Sequence, residues 1–185
     1  LAESTALRHS NALGITIGSG IGCGIILEGS IYHGSHGFAG ELGHTIVVPN
    51  GYRCNCGNNG CVEAYSSVGG IYRRLTTQSS HYELLSLLEI INTASVDRTV
   101  SLYLKEAQDY LSISIANLVT CLDLDIAIIG GGAMEAKLYN TDQLEQSIKR
   151  MIPTALRDSF RCVKASHGNK AGVLGAIQLC ERYCS

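Results

Sequence analysis

His44, Cys54, Cys56 and Cys61 fall within eighteen residues of one another, with the carboxylates Glu41 and Glu63 just outside them. Three thiolates and an imidazole complete a tetrahedral donor set for zinc and leave no coordination position for a reactive water. The spacer Gly57-Asn-Asn-Gly60 between Cys56 and Cys61 suits a loop wrapped tightly around an ion better than packed core. The metal expected here is therefore structural. Glu41 and Glu63, left over from it, are free to hold something polar.

Two glycine-rich turns form a second group. Gly18-Ser-Gly-Ile-Gly-Cys-Gly24 joins two expected strands, so it lacks the helix N-terminus that a dinucleotide-binding fingerprint requires. Its glycines still allow backbone amides to approach a phosphate closely, and the Ser19 hydroxyl can donate to one. A tight hairpin with bulges accounts for the same turn without any ligand. Gly130-Gly-Gly132-Ala133 follows a short apolar strand, which puts it at the carboxyl edge of a sheet, where ligands of open α/β sheets collect. A simple crossing turn is the alternative.

Other polar residues carry less. His33 and His36 have no cysteine or acid at ligand spacing and are expected in a solvent-facing loop, while His9, His81 and His167 are isolated. Arg73-Arg74, the one basic doublet, is expected on a solvated helix face. Asp123 and Asp125 mark a helix end and a turn.

The elements that must position these groups follow from periodicity. Residues 1–8 suggest the end of a helix, residues 12–17 a strand, and Gly24–Leu27 and Ser30–Tyr32 a hairpin closed by Glu28-Gly29. Thr45–Val48 suggests another strand, Val62–Gln78 a helix, and His81–Asn92 a leucine-rich helical stretch that is core or a subunit interface. Between Asp97 and Asp123, apolar residues from Val100 to Leu122 recur every three or four positions and predict the longest helix. Strand Asp125–Ile129, helix Thr141–Met151, strand Arg161–Ala165 and helix Ala171–Tyr183 complete the chain. Antiparallel strands first and alternating helices and strands later indicate one α/β domain with a mixed sheet.

Composition limits the possibilities. The 185 residues are enough for one core, and 45% hydrophobic content makes a disulfide scaffold unnecessary despite eight cysteines. Cys23, Cys121, Cys162, Cys180 and Cys184 are expected as buried or free thiols. A net charge of -2 without basic clustering argues against a sequence-independent nucleic-acid surface. No apolar run approaches membrane-spanning length, so a cytoplasmic protein is expected.

The run Ile17–His44, with Gly20, Gly22, Gly24, Gly34, Gly40 and Gly43 at their spacings, resembles the ROK family of repressors, open reading frames and sugar kinases. The resemblance continues through Cys54–Glu63, Ile128–Gly132 and Ala171–Ala176, so it covers nearly the whole chain. It implies an actin-like ATPase fold built from ribonuclease-H-like lobes, with residues 1–185 forming the C-terminal lobe, a helical insertion, and the zinc loop 44–61. It further implies that the N-terminal lobe, with the phosphate loop and the catalytic aspartate, lies outside the chain. The 185 residues alone are then expected to show no sugar phosphorylation.

On that resemblance Glu41, His44 and Glu63 grip a sugar, His44 serving as zinc ligand and sugar contact at once. Gly18, Ser19, Gly20, Gly130, Gly131, Gly132 and Ala133 face ATP and its Mg²⁺. Hexoses and N-acetylhexosamines all offer hydroxyls to such a set. The function implied is one lobe of an ATP-dependent sugar kinase. The alternative is the sugar-sensing domain of a ROK repressor, touching nucleic acid only through an N-terminal domain outside the chain. The hydroxyl of Ser19 favours the kinase, because family kinases usually carry threonine there. A homodimer is expected in either case, and a zinc-stabilised dimerisation module is a third reading.

Overall fold

Ala12–Ile17 (β1) and Ile21–Leu27 (β2) pair antiparallel, with Leu13, Ile15, Ile17, Ile21 and Ile25 buried in the main core and Ala12 and Ile26 buried in a smaller second cluster. The computed structural model describes residues 11–166. The terminal helices expected at residues 1–8 and Ala171–Tyr183, with His9, His167, Cys180 and Cys184, lie outside the described residues. β2 turns into the short β3 (Ser30–Ile31) through Glu28 and Gly29, whose φ angles of 52° and 75° are those of a type I′ hairpin turn.

β4 (Ile126–Gly130) and β5 (Arg161–Lys164) add in parallel, giving the sheet order β3-β2-β1-β4-β5. Every residue of β4 is buried, as expected of a central strand covered on both faces. The mixed sheet read from the sequence is therefore present.

The expected helix over Val62–Gln78 is two helices, α1 (Val62–Ser66) and α2 (Val68–Gln78). Ser67 breaks it: its backbone is extended, its Oγ donates to the Glu63 carbonyl at 2.8 Å, and the same Oγ accepts from the Gly70 N–H at 2.8 Å. The stretch after it divides likewise, into a 3₁₀ turn over Ser80–Leu84 and α3 (Leu87–Thr93), which begins at a capping box of Ser86 and Glu89. The stretch is divided: Tyr82 and Ile90 enter the core with Leu85 packed against it, whereas Leu84 and Leu88 are exposed.

Residues 98–122 form α4 (Arg98–Leu122), matching the periodicity almost to the residue. Asp97 caps its start by accepting from the Thr99 and Val100 amides, and Asp123 ends it with φ of 51°. Val100, Ala107, Leu111, Ile115 and Val119 of α4 join Leu13, Ile15, Ile17, Ile71, Leu75 and Ile129 in the main core. After β4 come the single-turn α5 (Gly132–Glu135) and α6 (Thr141–Met151), which packs on α4 and β5.

Two further expectations are corrected. Thr45–Val48 is not a strand: Ile46 makes one isolated bridge to Cys61, and the Val47 and Val48 amides both donate to the Gly60 carbonyl. A side chain on Gly60 would collide with the Val48 carbonyl, so close wrapping replaces a ladder.

The arginine doublet also splits. Arg73 is exposed and donates to Asn55, whereas Arg74 is 3% exposed, paired with Glu106 and stacked on Tyr52, Tyr65 and Tyr103. A planar cation with aromatic faces on several sides can leave water where a lysine could not. Glu106→Gln removes the charge that compensates Arg74. Urea unfolding should show a loss of about 2 kcal/mol, between values for exposed and buried pairs because Glu106 is partly solvated. An unchanged midpoint would mean the tyrosines suffice.

Candidate functional site

The four predicted ligands converge. Cys56 Sγ and Cys61 Sγ lie 3.6 Å apart, as do Cys54 Sγ and His44 Nδ1, and all four donor atoms lie within 4.8 Å of one another. Zn–S bonds in tetrahedral geometry require S···S separations of about 3.8 Å, so the donor set fits such an ion in both type and spacing. His44 ends the 3₁₀ turn Leu42–His44, and Cys61 immediately precedes α1. Between them the loop closes with Cys54 N–H donating to Asn58 O at 2.8 Å, and with Gly57 and Gly60 at φ of 97° and 83°.

The three thiols of the cluster differ. Burial pushes Cys54 up and Cys61 up to about 12, while the Asn58 backbone N–H holds exposed Cys56 below its ordinary value. Binding a cation here therefore displaces protons from the two buried thiols. Cys23, Cys121 and Cys162 are free thiols; burial pushes Cys23 and Cys162 up to about 12.

With Nδ1 turned to Cys54, the other imidazole nitrogen of His44 points outward, and Nε2 is 3.7 Å from Glu41 Oε2. Glu41 is exposed and His44 half-buried, so both can reach a ligand from solvent. His33 and His36 are exposed, as read from the sequence.

The glycine turns meet at a cleft of about 510 Å³, lined among others by Gly18, Ser19, Gly20, Glu63, Gly131 and Gly132. The parallel pairing of β1 with β4 makes this happen, because it sets the ends of both strands side by side. Gly131 takes φ of 97° and packs so closely on Ile17 that a Cβ would strike its carbonyl. Gly130 belongs to β4 and Ala133 is buried, so neither lines the cleft. Glu41 and His44 do not line it either. Glu63 lines the cleft and also lies against the cysteine cluster, with Oε1 3.8 Å from Cys54 Sγ.

Ser67, Val68 and Gly69 went unnoticed in the sequence. The Val68 N–H donates to the Gly18 carbonyl at 2.8 Å, and a Cβ on Gly69 would come within 2.5 Å of the Ser19 carbonyl. The only available signal was a glycine pair, Gly69-Gly70, at a helix start.

A mixed sheet whose strand ends carry two glycine turns across one cleft is the architecture of the actin-like ATPase class. The chain belongs to the ROK family, whose model matches residues 1–183. It aligns with a ROK family glucokinase from Streptomyces griseus, solved with glucose and AMPPNP, at a TM-score of 0.79 and 28% identity over 94% of this chain and 61% of that one. It is 32% identical to a glucokinase of Halalkalibacterium halodurans over 89% of this chain and 54% of that protein. It is also 30% identical to a xylose repressor of Bacillus subtilis over 92% of this chain and 44% of that protein. The chain thus spans about half the length of the curated relatives it matches. Among the described residues no helix is long and apolar enough to cross a membrane.

Gly131→Ala tests the strand-end packing. Positive φ and the collision with Ile17 together should cost at least about 2 kcal/mol in denaturant unfolding. Wild-type stability would show that the turn is not held this tightly.

Proposed function

We propose that this chain is the sugar- and nucleotide-binding C-terminal lobe of an ATP-dependent sugar kinase acting on a hexose or N-acetylhexosamine. The observation that carries the reading is the shared cleft: Glu63 stands between the cysteine cluster and the two glycine turns. Glu41 and Glu63 accept hydrogen bonds from sugar hydroxyls, and His44 donates from Nε2–H. Zinc held by His44, Cys54, Cys56 and Cys61 supplies a rigid crosslink and fixes the His44 tautomer.

The turns Gly18–Gly20 and Gly131–Gly132 bring backbone amides and the Ser19 hydroxyl to the phosphates of Mg-ATP. An aspartate in the N-terminal lobe, outside these residues, takes the proton from one sugar hydroxyl. That oxygen bonds to the γ-phosphorus in line as the bond to the ADP oxygen breaks. The residues of this lobe contribute chiefly by holding the two reactants at attacking distance. The homodimer expected from the sequence belongs to the same proposal.

A second reading, the effector domain of a sugar-responsive repressor, is favoured by the xylose repressor match, which covers the chain as fully as the glucokinase match. The discriminating assay gives the full-length protein Mg-ATP with a panel of hexoses and N-acetylhexosamines and monitors ADP and sugar phosphate. The kinase reading expects turnover with at least one sugar, and Glu41→Ala should raise its KM roughly tenfold to a hundredfold through the lost charged hydrogen bond. Sugar binding without turnover, together with sugar-dependent DNA affinity, would establish the repressor instead.

The metal has its own test. One zinc per chain should be found by metal analysis, and Cys61→Ser should abolish it. Chelation should lower the melting temperature, because metal-binding free energy is folding free energy for this loop. A zinc-free protein that melts unchanged after chelation would refute the assignment.

A further inference from the structure

Every residue of the turn between β1 and β2 is gripped from outside by one seven-residue segment, Glu63–Gly69. The Val68 N–H donates to the Gly18 carbonyl at 2.8 Å, and Gly69 lies directly against the Ser19 carbonyl. A Cβ on Gly20 would meet Glu63 Oε2 at 2.6 Å, and the Ile21 N–H donates to that same oxygen at 2.9 Å. Within the turn, only the Gly18 N–H to Gly20 carbonyl bond is internal. Its shape is therefore imposed by α1 and the start of α2.

Glu63 is the one side chain in this grip that carries charge. Its Oε2 is committed to Ile21, a residue 42 positions away, while Oε1 faces Cys54 Sγ. Resting on the reading of this cleft as a sugar and nucleotide site, we infer that Glu63 is a positioning residue for the phosphate turn, in addition to its sugar-facing role. Its carboxylate holds the Ile21 amide, and through it the Ser19 and Gly20 backbone, in the conformation that receives phosphate.

The physical reason is that glycine backbone is costly to order. Two of the three residues in this turn, Gly18 and Gly20, are glycine, so an external anchor must remove freedom that side chains elsewhere would remove. A charge-assisted hydrogen bond is the strongest local anchor a single side chain can give a backbone amide. A carboxylate has about four lone-pair sites, so Oε2 can hold Ile21 while Oε1 and the remaining lone pairs stay available to sugar hydroxyls.

The test measures nucleotide affinity with no sugar present, where a purely sugar-binding residue has no influence. The full-length protein, wild type and variants, is titrated with magnesium and a non-hydrolysable ATP analogue, and amide hydrogen exchange is followed at Ile21. Glu63→Ala should weaken nucleotide binding roughly tenfold, the lower end for a lost charged hydrogen bond, and speed Ile21 exchange by a similar factor. Glu63→Gln keeps an acceptor oxygen and should remain within about threefold of wild type on both measures, because only the charge assistance is lost. Glu63→Asp, one methylene too short to reach Ile21, should behave like the alanine variant and stands in if that one does not fold.

A role confined to overall stability would lower the melting temperature without singling out the Ile21 amide, and would overturn the inference. So would wild-type nucleotide affinity and wild-type Ile21 exchange in a folded, metal-loaded Glu63→Ala protein. If the wild type binds no nucleotide at all, the kinase reading fails. The exchange measurement at Ile21 then still decides whether Glu63 holds the turn.

Discussion

The hydrogen bond from the Ile21 N–H to the Glu63 carboxylate joins the two parts of the candidate site. On one side is the cysteine loop, which ends at Cys61, two residues before Glu63; on the other is the glycine turn between β1 and β2. α1, only five residues long, carries the connection. It is held by contacts a free helix of that length could not supply: Tyr139 Oη donates to the Ser66 carbonyl, Ser66 Oγ donates to the Ala107 carbonyl, and Tyr65 Oη accepts from the Tyr52 N–H. A helix this short is stable because its ends and sides are satisfied by other elements.

The same helix explains the buried arginine. Tyr65 stacks on Arg74 and also receives the backbone of Tyr52, so the cation, the outer arm of the cysteine loop and α1 form one packed unit. Glu106 on α4 closes it with the opposite charge. The loop is thus tied down at two places, by the cluster of four metal-type ligands at its base and by the arginine and tyrosine stack at its outer arm. Thr45 adds a third link, its hydroxyl 2.8 Å from that of Ser114 on α4.

Much of this was legible in the sequence because it depends on local spacing. The cysteine and histidine set, the periodic α4, the apolar β4 and the Glu28-Gly29 turn each declare themselves within a few residues, and each is found where read. Errors occurred where a local pattern met a nonlocal partner. Thr45–Val48 has strand composition but is curled onto Gly60, and the leucines at 84 and 88 have helical spacing but face solvent. Residues 62–78 carry helical spacing throughout, and only the capping bonds of Ser67 reveal the break.

What the sequence determined by itself was the inventory: which donors could bind a metal, which turns could admit a phosphate, and the family to which those motifs belong. The tertiary structure alone decided how that inventory is arranged. Parallel pairing of β1 with β4 set Gly131 beside Ile17 and opened one cleft to both glycine turns, and burial turned Arg74 from a surface charge into a structural cation. Glu63, read as a sugar contact, proved also to hold a backbone amide 42 residues away. Such pairings depend on chain closure over long separations. Residue type and spacing do not encode that closure one position at a time; it arises when the sheet and α4 bury their shared core.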